Sequence, residues 1–385
     1  MNLGVCLALL GLVVSASDGW AWGATGHEWV SGIAIEKLPD SVPAFVRTPE
    51  AVSEIAVLGR ELDRSKGAGR THDAERDPGH YVDLADDGKV MGVLSLKDLP
   101  STREDYDTDL RKKGFTQYKA GYLPYTIIDG WQQIRKDFAY WRALTKAIET
   151  AATPEERTWF EADRRLREKL TIHDIGIWSH YVGDGSQPLH VSIHFNGWGD
   201  FPNPNGYTNS KKIDAYFEGE FVKKNLSRAV VAAAVGPYRI CNCTIEEEMP
   251  ALLLNSLSRV EPLYQLEKEG GFKPGDSRGI AFAVERLSAG AQALRDMIVD
   301  AWFDGGEWSA PLASRAYPPA APDTRPPAEG RPLSKSGMSP PRPLPAAPNA
   351  RATAPAASRT RSPTAAACRE ACASLLISHR RKRRK

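Results

Sequence analysis

Seven of the eight histidines fall between His27 and His194, among acidic residues set at helical spacing. His180 and Asp184 stand four apart, so on a helix both project from one face and reach the same cation. His190 follows just past Pro188, where a helix must stop and the chain bends, so its imidazole can be aimed back at that pocket. Asp214 and Glu218 form a second pair four apart, expected on the next helix. Asp63 ends an earlier predicted helix, and His80 opens the segment His80-Tyr81-Val82-Asp83. Imidazole nitrogens and carboxylate oxygens in this number are zinc ligands, and they suffice for more than one ion. His72, in a polar loop, and His173, on a helix, read as ordinary packed or surface residues. His194, close behind His190, is held as a reserve ligand.

The run His180-Tyr-Val-Gly-Asp184-Gly-Ser-Gln-Pro-Leu-His190 resembles the signature of the three-zinc single-strand nucleases (the S-one/P-one type). The zinc-dependent bacterial phospholipases C share its His-x3-Asp-x5-His core. Trp22-Gly-x2-Gly-His27 is similar to the mature N-terminus of those nucleases, and Asp63 followed by His80-Tyr-Val-Asp83 matches their next ligands in order. The likeness runs from Trp22 to Glu218 and implies three zinc ions per chain. One would be held by Asp63, His80, His180 and Asp184. A second would take the amine and carbonyl of Trp22, with His27 and a bridging Asp184. The third would use His190, Asp214 and Glu218. The family has His where this chain has Asp214, and Glu218 is the residue of the phospholipase branch. The Gly-Gly-Asn that follows the nuclease signature is replaced by His194-Phe-Asn-Gly-Trp-Gly-Asp-Phe-Pro-Asn-Pro-Asn-Gly206.

Such a centre suits phosphodiester hydrolysis, in which an anionic substrate must be neutralised and water made nucleophilic near neutral pH. The resemblance implies that Lys66 stabilises transition-state charge, that Tyr81 stacks on a base and that Asp83 hydrogen-bonds the base edge. Stacking favours a single strand, whose bases offer their faces. Three readings follow. The first is an endonuclease releasing 5′-phosphorylated products from single-stranded DNA or RNA, with possible 3′-nucleotidase activity. The second is a phospholipase C acting on lipid head groups. The third is a zinc-binding protein whose catalysis is impaired by Asp214. The chain is expected to act as a monomer without an obligate protein partner.

The elements that must position these groups read as helices. Thr153-Pro-Glu-Glu156 starts one with a Thr cap, Pro at the first position and Glu at the capping-box place. Its apolar stripe is predicted through Trp159, Phe160, Leu166, Leu170, Ile177 and Tyr181 as far as Pro188. Thr48-Pro49 opens another reaching Arg64. Further helices are expected near Ile33 and across Tyr125–Thr150, Ile213–Ala234, Ile245–Glu267 and Ser277–Trp302. Few segments alternate with period two. The prediction is an all-α single domain, residues 22–302, of about seven helices with long loops, and the all-helical fold of the resembled family agrees.

Composition bounds the rest of the 385 residues. Leu3 to Val14 is a short apolar run before Ser15-Ala16-Ser17, too short to span a membrane and suited to a secretory leader. Cleavage near Ala16 or after Ala21 is expected, and the second leaves Trp22 first and the protein exported. From Phe303 onward lie 14 of the 28 prolines, so residues 303–385 read as a disordered tail. Ten Lys/Arg against one Glu from Arg351 to Lys385 give the overall charge of +2 and conceal an acidic body. An acidic body does not suit a tight duplex binder. Cys241 and Cys243 are expected to stay unbridged, and no disulfide framework is predicted.

Overall fold

Threonine and aspartate side chains set where the helices begin, because each satisfies a backbone donor that the helix leaves free. Thr48 accepts from the amide of Ala51 at 3.1 Å, Thr102 from Asp105 at 3.1 Å, Thr116 from Lys119 at 3.3 Å and Thr153 from Glu156 at 3.1 Å. Asp276 accepts from Arg278 at 2.9 Å. Glu156 completes its turn by reaching back to the amide of Ala152, and Glu247 to that of Thr244.

The computed structural model describes residues 22–239 and 241–306. The leader and the tail beyond Gly306, with the secretory and disorder readings attached to them, lie outside the described residues. The helices are α1 (Gly23–Glu36), α2 (Pro49–Leu58), α3 (Glu61–Arg64), α4 (Arg70–Arg76), α5 (Arg103–Arg111), α6 (Gln117–Ala120), α7 (Leu123–Thr150) and α8 (Pro154–Ser186). They continue as α9 (Ile213–Ala215), α10 (Val222–Asn225), α11 (Arg228–Ala234), α12 (Ile245–Leu257), α13 (Val260–Lys268) and α14 (Ser277–Asp304). One small antiparallel pair, β1 (Lys89–Val90) with β2 (Leu94–Ser95), completes the order, Lys89 opposite Ser95 and Val90 opposite Leu94. The all-α expectation therefore holds, but the described residues carry fourteen α-helices rather than about seven, because several expected helices are broken and short ones stand between them. Among the described residues no helix is long and apolar enough to cross a membrane.

The long helices enclose the core. α7 lies along α8, α14 packs on both, and α1 sits against α2, α8 and α14. Where α7 meets α8, the Trp178 indole donates to Ile127 O at 2.9 Å, and its ring lies over Gly130. A Cβ at Gly130 would fall 2.0 Å from Trp178 Cδ1, so only glycine permits this approach.

Several predicted elements differ from those observed. The helix expected from Pro49 to Arg64 breaks after Leu58, and the carbonyl of Gly59 accepts from His180 Nδ1. The one expected over residues 245–267 divides at Ser258-Arg259. Pro262, inside the second piece, has no amide to donate to Ser258 O, and its ring crowds that carbonyl. The one expected over residues 213–234 becomes α9, a π-helical turn Tyr216–Phe221, then α10 and α11, separated by extended backbone at Leu226-Ser227. In α8 the predicted stripe is misplaced. Leu166 and Leu170 are 54% and 38% exposed, and burial concentrates from Thr171 to Ser186. Helices α4, α5 and α6 were not foreseen. α5 is almost wholly polar and buries only Tyr106 and Leu110.

The cysteine expectation is also corrected. Cys241 and Cys243 form a disulfide with their Cα atoms 5.1 Å apart. Asn242 between them takes φ 51°, a left-handed turn that asparagine tolerates and that brings the two side chains together.

Candidate metal centre

The buried half of α8 brings two polar side chains into the core. His180 and Asp184 lie one turn apart, both fully buried. His180 Nδ1 donates to Gly59 O at 2.8 Å, which fixes the tautomer and leaves the Nε2 lone pair facing inward. His80, at the end of a 3₁₀ turn (Asp77–His80), places Nδ1 2.9 Å from His180 Nε2 and 3.1 Å from Asp184 Oδ2. Asp63, on α3, puts Oδ1 3.9 Å from His180 Nε2 and 2.9 Å from Lys66 Nζ.

The first turn of α1 supplies the next side. The Trp22 indole is wholly buried and donates to Gly183 O and Ser186 Oγ, both at 2.9 Å. It pins the start of the helix to the last turn of α8. Gly23 at φ 50° then passes so close to the π-helical turn that a Cβ would sit 3.4 Å from Gly219 Cα. One turn later His27 stacks on His180, with centroids 3.8 Å apart and planes at 11°, and its Nε2 is 3.4 Å from Asp184 Oδ1.

A third group faces these from the other direction. His190 lies in the 3₁₀ turn Pro188–Val191 and donates from Nδ1 to His80 O at 3.0 Å, so its free Nε2 points at Glu218 Oε2, 3.6 Å away. Glu218 belongs to the π-helical turn and Asp214 to α9. Gln187, fully buried, joins the two carboxylates: its amide donates to Asp214 Oδ1 at 2.7 Å and to Glu218 Oε2 at 3.2 Å.

Three sets of ligand atoms therefore converge, each within 4.8 Å of one another: Asp63, His80 and His180; His27, His180 and Asp184; His190, Asp214 and Glu218. These buried clusters could hold metal ions, and the donor chemistry supports that. His27 has no hydrogen bond at either ring nitrogen, nor have Asp184 Oδ1 and Glu218 Oε1, although all are buried. Buried polar atoms are nearly always satisfied, so orphans gathered in one cluster mark missing partners.

Charge gives the same answer. Burial holds His27, His80 and His190 below the ordinary histidine range and brings His180 to about 4, so these rings are neutral and ready to ligate. Burial pushes Asp184 and Glu218 well above the carboxylate range and Asp214 to about 8. Lys66 is held above its usual value by Asp63, then Asp184 and Glu218, against the opposing effect of burial. Ionising these carboxylates in a buried cluster beside one lysine needs further positive charge.

The structure brings together eight expected side-chain ligands: His27, Asp63, His80, His180, Asp184, His190, Asp214 and Glu218. The Trp22 backbone amide favours the charged form of Glu218, at the edge of the third group, while the Trp22 carbonyl accepts from the amide of Gly26 at 3.0 Å. His194, the reserve ligand, lies outside the three groups. It donates to Trp198 O from Nδ1 at 2.9 Å, faces Asp86 Oδ1 from Nε2 at 3.1 Å, and stacks on Trp198. His72 and His173 each pair with the aspartate that follows them, outside all three groups. Tyr81 donates its hydroxyl to Tyr118 O at 2.9 Å. Asp83 is 8% exposed, and burial raises its carboxyl to about 8. Gln187 and the indole of Trp22 went unread in the sequence. The one available signal was Gln187's place inside the His180–His190 run.

Comparison of the chain with protein-family models, with curated proteins and with solved structures returned no match.

Proposed function

We propose that this chain is an exported, zinc-dependent phosphodiesterase that hydrolyses single-stranded nucleic acid. The observation that supports this reading best is the convergence of neutral imidazoles and uncompensated carboxylates on Asp184, fully buried with Oδ1 unpartnered. Asp63, His80, His180 and Asp184 would hold one ion, and Trp22, His27 and Asp184 a second, with Asp184 shared. His190, Asp214 and Glu218 would hold the third.

When bound, the ions supply positive charge to phosphate oxygens and make water more acidic. The chain's own residues do the positioning. The Gly59 and His80 carbonyls hold His180 and His190 with Nε2 inward. Lys66, with its side chain 27% exposed and bound to Asp63, stands where a phosphate can meet it while its own charge is balanced. Tyr81 and Asp83 follow His80 and would receive the base. Glu218 and the loop after His194 favour the phospholipase reading, since both depart from the nuclease pattern.

The deciding experiment incubates zinc-loaded mature protein with denatured DNA, duplex DNA and phosphatidylcholine vesicles. Mononucleotides with 5′-phosphates from denatured DNA, with lipid untouched, support the proposal. Released phosphocholine without nucleotides overturns it in favour of the phospholipase. Three bound zincs with turnover of neither substrate mean an inactive zinc protein.

A further inference from the structure

The three groups are not chemically equivalent. Taken together, the first two groups hold three imidazoles, His27, His80 and His180, against two carboxylates, Asp63 and Asp184. In the third the balance reverses, with one imidazole and the carboxylates of Asp214 and Glu218. Burial differs as well. Every member of the first two groups is buried, whereas Asp214 is partly exposed and His190 is 9% exposed. The third group is therefore the one nearer solvent.

Gln187 sharpens the distinction. Its amide occupies one oxygen of each carboxylate, Asp214 Oδ1 and Glu218 Oε2. Glu218 Oε1, buried and unpartnered, remains for an ion. Two carboxylates balance a divalent cation fully, and oxygen donors with open water positions suit a hard, six-coordinate ion. Imidazole-rich, closed sets suit four-coordinate zinc.

Resting on the reading of the cluster as a metal centre, we propose that His190, Asp214 and Glu218 form an exchangeable site for a hard divalent cation of the manganese type, while the histidine-rich pair keeps zinc. The centre is then a mixed-metal one, and Asp214 is the residue that makes it so.

The test loads the mature protein with zinc, dialyses it against millimolar Mn²⁺ in zinc-free buffer, and counts metals per chain. The expected result is two zincs and one manganese, with a protein-bound Mn²⁺ resonance and zinc lost from this site at least tenfold faster than from the others. Asp214→His should retain three zincs under the same dialysis. Asp214→Asn should keep two zincs and bind no manganese, which provides a second check if the histidine variant fails to fold. Three zincs retained by the wild-type protein, or all three exchanged, overturns the proposal while leaving the zinc enzyme intact. Manganese uptake by Asp214→His equal to wild type also overturns it. Protein that binds no metal at all overturns this inference and the proposed function together.

Discussion

Replacing Asp184 with asparagine should leave the stability of the metal-free protein nearly unchanged and lower that of the zinc-bound protein sharply. Asp184 is fully buried, its Oδ2 is 3.1 Å from His80 Nδ1 and 3.4 Å from His180 Nε2, and its Oδ1 has no hydrogen bond. The neighbouring histidines are kept neutral by burial, so in the metal-free protein the carboxylate has no imidazolium to pair with. Burial also pushes the Asp184 carboxyl well above the carboxylate range, so without metal it is protonated and Asp184→Asn exchanges one neutral group for another of the same shape; the chelated protein should be within about 1 kcal/mol of wild type. With zinc the loss is large. An ion present at 100 times its Kd adds about 2.7 kcal/mol of folding stability, and a hundredfold loss of affinity removes about 2.3 of it. Two ions sharing Asp184 then lose about 5 kcal/mol, or roughly 10 °C in Tm for a domain of this size. Calorimetric melts of both proteins, with excess zinc and with chelator, measure the four values. If Asp184→Asn lowers Tm equally in both buffers, Asp184 is an ordinary partner of its neighbours and the reasoning fails.

Gly130→Ala places a Cβ 2.0 Å from the Trp178 ring, so it should cost about 1–3 kcal/mol from overpacking despite alanine's better helix propensity, read as a lower denaturation midpoint. Burial, then Asp300 and Asp296, raise Glu248 to about 8. Because the folded value exceeds the unfolded one, the native state keeps a proton that the unfolded chain releases, and stability falls as pH rises from about 4.5 to 8. Glu248→Gln should flatten that slope and raise Tm more at pH 8 than at pH 5, checked by melts at both. If the proposed cleavage after Ala21 frees the Trp22 amine, a form retaining Ala21 carries an amide there and should bind one zinc fewer per chain, read by metal analysis and intact mass.

Which parts of this molecule were legible in the sequence follows from the range of the forces involved. Caps act over three residues, and Thr48 and Thr153 mark their helix starts in the sequence itself. A helical face repeats every four residues, so His180 with Asp184 and Asp214 with Glu218 could be paired before any fold was known. Interruptions were harder. Pro262 broke its helix four residues upstream, and the break after Leu58 follows packing against α1 and α8 that only the assembled core contains. The stripe on α8 misled because Leu166 and Leu170 satisfy a period without a partner to cover them. The Cys241–Cys243 bond depended on one asparagine's backbone angle, which residue spacing alone does not encode.

The cluster itself joins both kinds of information. Spacing identified the members of the cluster, but not that they converge with one lysine as the neighbouring cation. Asp63, Asp184, Asp214 and Glu218 are carried by α3, α8, α9 and a π-helical turn, and each is tolerable alone at a surface. Folding gathers them around neutral rings and Lys66, where each uncompensated charge opposes the packing that placed it there. The Trp22 indole, the Gly59 carbonyl and the Gln187 amide hold that arrangement from outside. A core built to keep such groups together favours the folded state most strongly when cations bind, so metal affinity and fold stability at this centre are one quantity measured in two ways.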